Sequence, residues 1–184
     1  MSNGRPHLRI LNASICTLEP QVVSHATEMF GALSDPAIYE FENSPPVSEA
    51  WLTERFEKLE ARQSTDGAQK WLNWVIRLPS GELAGFVQAT VLPTNTSYIA
   101  YELASRFWRR GIGSSAVTAM MEELACQYGV DTFVAVLKAR NFRSHALLCR
   151  LGFAAGALEE DALFAAEQDE IVMVKTVGSA RSAA

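Results

Sequence analysis

Apolar residues recur along this chain with two periods, one typical of helices and one typical of strands. Leu52, Phe56 and Leu59 recur at helical spacing after Ser48, a residue type that often precedes a helix. The pattern predicts helices over about residues 20–33, after residues 35–36, after residue 48, over residues 114–128 and over residues 142–151.

Strands are predicted where apolar residues run or alternate between residues that favour turns. They cover about residues 8–18, 71–78, 83–92, 98–103, 132–137, 153–158 and 170–176. Pro79-Ser80-Gly81 is typical of a hairpin turn, here between the strands over residues 71–78 and 83–92. This order predicts one α+β domain over residues 1–176, with a single mixed, mostly antiparallel sheet flanked by helices. The Gly-, Ser- and Ala-rich tail, residues 177–184, is expected to be mobile.

Two expectations concern which side chains are buried. Glu122 and Glu123 lie off the apolar stripe of the helix over residues 114–128, so they are predicted to face outward. The chain has three cysteines, an odd number without metal-type spacing. Cys126 and Cys149 fall in predicted helices, and we expect them to be buried free thiols in a reducing cytoplasm.

The composition narrows the class of protein. With 184 residues, 48% hydrophobic and 20% charged, the chain can bury a full core without disulfides or metals. Its formal charge of −5 disfavours nonspecific nucleic-acid binding. No apolar run is long enough to span a membrane, and the first nine residues lack a signal-peptide core. The three histidines are scattered and form no metal set. The composition therefore agrees with a soluble cytoplasmic protein of one domain, and we expect no metal site.

The strongest chemical signal lies between the strand over residues 98–103 and the following helix. There the chain reads Arg109-Arg110-Gly111-Ile112-Gly113-Ser114. A helix N-terminus has unpaired backbone N–H groups and a positive dipole, so it attracts phosphate. Glycine removes the Cβ atoms that would keep phosphate oxygens away, and arginine adds charge and forked donors. The stretch therefore predicts a diphosphate site.

Other interpretations of this loop remain open at this stage. Gly111, Gly113 and Ala116 also satisfy a loose dinucleotide-binding fingerprint. Asp131, the acidic residue at the right distance, lies at the start of the next apolar run rather than at its end, where it would reach a ribose. A triphosphate loop is excluded because no Gly-Lys-Ser/Thr follows. The glycines could also serve only a tight turn.

Three motifs together resemble the GNAT acetyltransferases, above all the branch that acetylates ribosomal-protein N-termini (RimJ/RimL-like) and its small-molecule relatives. The motifs are Arg109-Arg110-Gly111-Ile112-Gly113-Ser114, Asn141-Phe142-Arg143-Ser144 and Leu151-Gly152-Phe153. Further likeness at His7-Leu8-Arg9-Ile10 and Ser34-Asp35-Pro36-Ala37-Ile38 extends the resemblance over about residues 7–176. Trp108 departs from the family, which prefers Gln or Arg there.

The resemblance implies a GNAT fold and the transfer of acetyl from acetyl-CoA to a primary amine, by direct attack in a ternary complex. The strands over residues 98–103 and 132–137 would form a parallel pair that parts, with the pantetheine arm in the gap. Backbone atoms of Glu102, Leu103 and Ala104 would then bond the arm and the thioester. The glycine-rich loop, from Arg109 to Ser114, would hold the pyrophosphate, and Asn141 would lie against the cofactor arm.

The residues that would transfer protons differ from those common in the family. Many members carry a tyrosine four residues before the glycine of the Leu-Gly-Phe turn, but this chain has Leu148. RimL-like members use the serine three residues after the asparagine, which is Ser144, although helix capping is an alternative role. Glu102 is the leading candidate for the base that takes the ammonium proton, with a solvent-facing or substrate-anchoring role as the alternative. The acidic run over residues 159–161 is a second candidate or a solvated loop.

Several points stay open from the sequence. The acceptor is a protein N-terminus or a small-molecule amine, and the relatives are often homodimers. The missing tyrosine also fits a GNAT-fold module that binds coenzyme A without catalysis. Trp51, Trp71 and Trp74 are expected to pack the core or to wall the acceptor cleft. Phe107 and Trp108 are candidates for stacking beside the adenine.

Overall fold

The computed structural model describes residues 6–41, 44–157 and 166–178. Its strands are β1 (Leu11–Asn12), β2 (Thr17–Pro20), β3 (Lys70–Arg77), β4 (Leu83–Val91), β5 (Thr96–Leu103), β6 (Thr132–Lys138), β7 (Ala154–Ala155) and β8 (Glu170–Thr176). Its α-helices are α1 (Ala26–Leu33), α2 (Glu49–Leu59), α3 (Ile112–Tyr128) and α4 (Phe142–Arg150). Short 3-10 turns cover Val23–His25, Pro36–Tyr39 and Ser105–Phe107.

One sheet joins all the strands of the described residues, in the order β1-β2-β3-β4-β5-β6-β8-β7. Every neighbouring pair is antiparallel except β5 and β6, which are parallel. A parallel pair needs a crossover connection, and α3 provides it. The mixed, mostly antiparallel sheet flanked by helices is confirmed. The hairpin turn over residues 79–81 also lies where the sequence predicts it, joining β3 to β4.

The strand predicted over residues 8–18 is wrong, because the chain folds back on itself there. The Ala13 N–H donates to the Cys16 carbonyl at 3.0 Å, which closes a tight turn between β1 and β2. The two short strands pair antiparallel, with Leu11 opposite Leu18. Ser14, a residue type that favours turns, lies between the two apolar segments and fits this turn better than one continuous strand.

The helix predicted from residue 20 begins later. Pro20 is the last residue of β2, and the Gln21 N–H continues the ladder by donating to the Asn73 carbonyl at 2.9 Å. The 3-10 turn Val23–His25 follows, and α1 begins only at Ala26. Pairing with β3 therefore overrides the local helical pattern at this point.

The core fills the space between the sheet and its helices. Trp74 of β3 is fully buried, and its indole Nε1 donates to the Arg9 carbonyl at 3.0 Å. Leu18, Met29, Met120 and Phe133 are fully buried beside it in the same apolar cluster. None of the helices in the described ranges combines the length and apolar character needed to cross a bilayer.

One carboxylate of α3 is buried against the sequence expectation. Glu122 is exposed as predicted, whereas Glu123 is only 5% exposed. Arg9 reaches it with Nε, 2.9 Å from Oε1, and with Nη2, 2.5 Å from Oε2. A buried carboxylate needs such a partner, and the pair fixes the segment before β1 to α3. The periodicity of α3 alone contains no sign of this distant partner.

The expectation that Cys126 and Cys149 are buried is also wrong. Cys16 is buried, and burial raises the pKa of its thiol. Cys126 and Cys149 are exposed free thiols on α3 and α4. At the C-terminal end, β7 covers only Ala154–Ala155 of the strand predicted over residues 153–158, of which residue 158 lies outside the described ranges. Most of the tail predicted to be mobile, residues 179–184, lies outside them as well.

The parallel strands β5 and β6 stay together for only three residue pairs. Thr96 to Tyr98 pair with Thr132 to Val134, and no pairing follows beyond that point. β5 remains paired with β4 as far as Leu103, while β6 remains paired with β8 as far as Lys138. The two strands therefore part at their C-terminal ends, as the family resemblance implied.

Asp35 ties the segment beside this gap to the end of β5. Its Oδ1 accepts the Ala37 N–H at 3.0 Å, as expected of a cap before Pro36. Its Oδ2 accepts the Ser105 N–H at 2.7 Å, directly after β5. The hydrogen bond from Ser105 holds the pKa of Asp35 below its usual value.

We predict that Asp35→Ala lowers the free energy of unfolding at neutral pH by about 1–3 kcal/mol, because two N–H groups lose a charged acceptor. A carboxyl with a lowered folded-state pKa stabilises the protein above its unfolded pKa, and this contribution is lost as pH falls through the folded value. Urea unfolding from about pH 7 to about pH 3 should show the difference from wild type shrinking toward low pH. Asp35→Asn is the control whose stability relative to Asp35→Ala should not vary with pH. A constant gap between wild type and Asp35→Ala would contradict the assignment.

Candidate functional site

A cleft of about 1230 Å³ lies where β5 and β6 part. Its walls come from the 3-10 turn Pro36–Tyr39, from α2, from β4, β5 and β6, from the first turn of α3 and from α4. The charged side chains that line it, among the described residues, are Arg55, Arg109, Arg143, Arg150 and Glu102. Arg143 is paired with Glu40, and the other three arginines against the one carboxylate of Glu102 favour an anionic ligand.

The backbone of β5 alternates between its two neighbours. The Ala104 N–H donates to the Ala84 carbonyl at 2.9 Å, so the even-numbered residues of β5 direct their N–H and C=O groups toward β4. Tyr101 and Leu103 direct theirs to the other side, from which β6 has departed. The Leu103 carbonyl accepts the Trp108 indole N–H at 2.7 Å. By the same alternation, the Leu103 N–H is directed toward the gap.

This alternation corrects two of the expected backbone contacts. Ala104 is fully buried, does not line the cleft, and uses both backbone groups within the protein, since its carbonyl accepts the Phe107 N–H at 2.9 Å. Glu102 lines the cleft, but its backbone is directed toward Phe86 of β4. Only its side chain is therefore available for chemistry. Of the three expected residues, Leu103 keeps a backbone role.

The first turn of α3 has no side chain capping it. Gly111 precedes the helix with φ of 78°, a left-handed conformation that favours glycine, and it has no side chain to accept a hydrogen bond. The first helical bond runs from the Ser115 N–H to the Gly111 carbonyl at 3.0 Å. The N–H groups of Ile112, Gly113 and Ser114 consequently have no acceptor within the helix, and all three residues line the cleft.

The other polar helix starts are closed. Asp35, Ser48 and Asn141 each accept a backbone N–H from the helical turn that follows them. α1 also begins without a side-chain cap, but it follows a 3-10 turn in which the Val23 carbonyl accepts the Ala26 N–H. The start of α3 combines open N–H groups with a position at the cleft, at the end of the longest helix of the described residues. The positive end of the helix dipole and the open N–H donors therefore both face the cleft.

Gly113 lines the cleft, and close packing against α4 gives a second reason for a glycine at this position. A Cβ built on Gly113 would lie 3.0 Å from Cδ1 of Leu147 on α4. This glycine therefore allows the start of α3 to pack closely against α4 at the edge of the cleft. Gly111 meets only an ordinary contact, 3.6 Å from Ile15 Cδ1, and its backbone conformation explains the glycine there.

The two loop arginines point in different directions. Arg109, with φ of 59°, lines the cleft and is exposed. Arg110 does not line it; its guanidinium lies 5.8 Å from the ring centroid of Phe107. Phe107 is only 5% exposed, so it packs in the core rather than offering a free stacking face. The structure therefore assigns Arg109, but not Arg110, to the cleft.

Ser144 meets a tyrosine that the sequence analysis did not single out. Asn141 Oδ1 accepts the Ser144 N–H at 3.1 Å, so Asn141 is the cap of α4. The Ser144 hydroxyl is not part of that cap, because its Oγ lies 2.7 Å from the Tyr101 hydroxyl of β5. All three residues line the cleft. Leu148, at the position of the usual family tyrosine, also lines the cleft, but it is only 1% exposed and belongs to the apolar core.

Glu102 lies on the opposite face of β5 from Tyr101, beside a second tyrosine. The Tyr39 hydroxyl donates to the Leu33 carbonyl at 2.9 Å and lies 3.4 Å from Glu102 Oε2. Burial, and then the charge of Glu102, raise the pKa of Tyr39, so this phenol stays protonated. Both residues line the cleft. The arrangement presents a carboxylate on one side of β5 and a hydroxyl pair on the other.

Arg143 contacts three aromatic rings at the edge of the cleft. Its guanidinium lies 4.6 Å from the ring centroid of Trp108, 5.2 Å from that of Phe41 and 5.0 Å from that of Phe142. Its Nη1 also lies 2.6 Å from Glu40 Oε2. We call Arg143, Phe41, Trp108 and Phe142 the arginine cluster. It joins three distant chain segments beside the glycine-rich loop.

The remaining candidates from the sequence are three tryptophans, an acidic run and a possible metal site. Trp51 lines the cleft and is 42% exposed, Trp74 belongs to the core, and Trp71 is half-buried without lining the cleft. The acidic run over residues 159–161 lies outside the described residues. Within the described ranges no group of His, Cys, Asp and Glu side chains could hold a metal ion.

Asp131 lies at the wrong place for a dinucleotide site. It directly precedes β6, at the end where β5 and β6 are still paired, whereas the cleft lies at the other end of these strands. Its N–H donates to the Asn95 carbonyl at 3.0 Å, in the turn before β5. The loose fingerprint formed by Gly111, Gly113 and Ala116 is therefore coincidental.

A family model described as Acetyltransferase (GNAT) domain matches residues 16–154. No curated protein sequence matches the chain. Similar solved structures include RimL, the ribosomal L7/L12 alpha-N-protein acetyltransferase, in complex with coenzyme A. It has a TM-score of 0.77 and 17% identity, over 93% of this chain and 99% of that one.

Two further solved structures share the fold. The microcin C7 self-immunity acetyltransferase MccE, in complex with acetyl-CoA and AMP, has a TM-score of 0.74 and 21% identity, over 89% of this chain and 93% of that one. The ribosomal-protein-S5-alanine acetyltransferase from Vibrio fischeri has a TM-score of 0.72 and 18% identity, over 92% of this chain and 97% of that one. At these identities the likeness shows the fold.

Proposed function

We propose, since this chain belongs to the GNAT acetyltransferase family, that it transfers the acetyl group of acetyl-CoA to a primary amine by direct attack in a ternary complex. The observation that carries the proposal is the gap between β5 and β6, with the uncapped first turn of α3 beside it. The gap is suited to an extended arm, and the helix start is suited to a diphosphate.

The cofactor lies along these two features in the proposed complex. The pyrophosphate accepts the N–H groups of Ile112, Gly113 and Ser114, and Arg109 adds positive charge. The pantetheine arm bonds the Leu103 N–H in the manner of an added strand. Asn141 caps α4 and lines the cleft, which is where the proposed arm contacts it.

The reaction makes three chemical demands. The amine must lose its proton, the tetrahedral oxyanion needs a donor, and the leaving thiolate needs a proton. Glu102 is the proposed base, because its carboxylate faces the cleft on the Tyr39 side of β5. A β5 backbone N–H is the proposed oxyanion donor, and Ser144 the donor to sulfur. Binding both reactants together supplies orientation without a covalent enzyme intermediate.

The acceptor is a protein N-terminus or a small-molecule amine. RimL and the S5-alanine enzyme are named for ribosomal proteins, whereas MccE is named for microcin immunity. We place the chain in the RimJ/RimL-like branch, as a cytoplasmic single-domain enzyme over residues 1–176 that forms a homodimer. Coenzyme A binding without catalysis is the second candidate, and the observation that favours it is the buried Leu148 at the usual tyrosine position.

Calorimetric titration with acetyl-CoA tests the cofactor assignment, with NAD as the control ligand. Gly111→Val should weaken acetyl-CoA binding by at least about 10-fold, since a β-branched residue disfavours φ of 78° and so disturbs the first turn of α3. Gly129→Val is a matched control, because Gly129 has φ of 68° at the other end of α3 and ends that helix away from the cleft. Equal affinity in both variants would remove the loop from the site.

Ser144→Ala tests the donor to sulfur and separates an enzyme from a binding module. We expect kcat to fall by about 10²-fold or more with the Kd for acetyl-CoA nearly unchanged, because the proton is needed only as the thiolate leaves. Steady-state kinetics with a panel of peptide and small amines measures kcat, and calorimetry measures Kd. Full activity in the variant would leave Ser144 with a purely structural role. Tight acetyl-CoA binding without turnover of any amine by wild type would favour the binding module.

A further inference from the structure

Among the described residues, Tyr101 is the only tyrosine whose hydroxyl lies within hydrogen-bond distance of the Ser144 hydroxyl. The two oxygens lie 2.7 Å apart, although the residues are 43 positions apart in the sequence. Tyr101 comes from β5 and Ser144 from the first turn of α4, so the pair spans the gap between the parted strands. Both residues line the cleft.

Serine alone is a poor source of a proton for a leaving thiolate. A thiol has a pKa of roughly 8.5 and a phenol of roughly 10, so a phenol is close enough in acidity to share its proton with the departing sulfur. An aliphatic alcohol is a far weaker acid than either. Its hydroxyl can give up a proton readily only if a neighbour replaces that proton at the same time.

We infer that Tyr101 supplies, through Ser144, the proton that the leaving thiolate of coenzyme A takes up. The inference rests on the proposed function and deepens it. As the C–S bond of the tetrahedral intermediate breaks, Ser144 Oγ–H passes its proton to sulfur and Tyr101 O–H passes its proton to Ser144 Oγ. The tyrosinate left behind regains a proton from water, which balances the proton that the amine nitrogen releases to the base.

The geometry explains how the chain functions without a tyrosine on α4. The family position for that residue is Leu148, whose side chain fills the core. Tyr101 lines the cleft from β5 instead, where its hydroxyl meets that of Ser144. Tyr101 acts through Ser144 and does not touch the sulfur, so we call it a positioning residue. It differs from a purely structural hydroxyl because it also replaces the proton that Ser144 gives up.

The thiol of bound coenzyme A gives a test that needs no acetyl transfer. Ultraviolet titration of the binary complex measures the thiolate fraction, with the complex of desulfo-coenzyme A as the blank. Because hydrogen bonds stabilise the anion, Tyr101→Phe should reduce the thiolate fraction at a fixed pH near neutrality by about 3- to 10-fold. Tyr98→Phe is the matched control, since Tyr98 lies on β5 but does not line the cleft, and it should match wild type.

Kinetics supply the second measurement. Tyr101→Phe should lower kcat by about 10- to 100-fold with KM for acetyl-CoA unchanged, and should remove the fall of kcat at alkaline pH that tyrosinate formation causes. The double variant Tyr101→Phe/Ser144→Ala should be no slower than the slower single variant, because both residues act on one proton. Circular dichroism and Kd for coenzyme A confirm that each variant is folded.

The outcomes separate this inference from the proposed function. A thiolate fraction in Tyr101→Phe equal to wild type, or a retained alkaline fall of kcat, would overturn the relay while leaving acetyl transfer intact. Wild type that binds coenzyme A but acetylates no amine would overturn the proposed function, and the titration would still decide whether Tyr101 and Ser144 act together on the sulfur.

Discussion

The parting of β5 and β6 is the constraint on which the rest of the site depends. Each strand keeps its outer neighbour, so the sheet stays paired everywhere except in the gap. Gly85 helps β4 to follow β5 there, since a Cβ on Gly85 would lie 2.0 Å from the Glu102 carbonyl oxygen. The register of β3 and β4 shifts at the same level, between Ile76 and Arg77, which is typical of a sheet that bends.

The gap also decides which side chains meet. Because side chains alternate along a strand, Glu102 and Tyr101 reach opposite faces of β5 although they are neighbours in sequence. One face presents a carboxylate beside Tyr39, and the other presents a phenol beside Ser144. The uncapped start of α3 lies at the same gap. A single irregularity in the sheet thus brings together the candidate anion site and the two groups that we propose to handle protons.

Much of this arrangement could be predicted from the sequence, because local rules govern it. Period, turn residues and helix caps locate the main strands and helices, and the glycine loop before α3 stands out by composition. The errors fall where distant contacts override local pattern. Glu123 is buried because Arg9 reaches it, Arg110 turns back to Phe107, and no local signal indicates that Tyr101 meets Ser144. The sequence also does not show which residues of β5 hydrogen-bond to β4. With that information, strand alternation alone would have distinguished the backbone of Leu103 from the backbones of Glu102 and Ala104.

The arginine cluster has a consequence for how this site changes in evolution. Trp108 stands where the family prefers Gln or Arg, and here its ring contacts Arg143, which lies on a different helix and a different family motif. The indole also donates to the Leu103 carbonyl, in the strand beside the cofactor gap. Because these two side chains are in contact, we expect the effects of substitutions at positions 108 and 143 to be non-additive. A loop grafted from a relative with a polar residue at position 108 would remove the ring that Arg143 contacts, so its effect here is expected to depend on the residue at position 143.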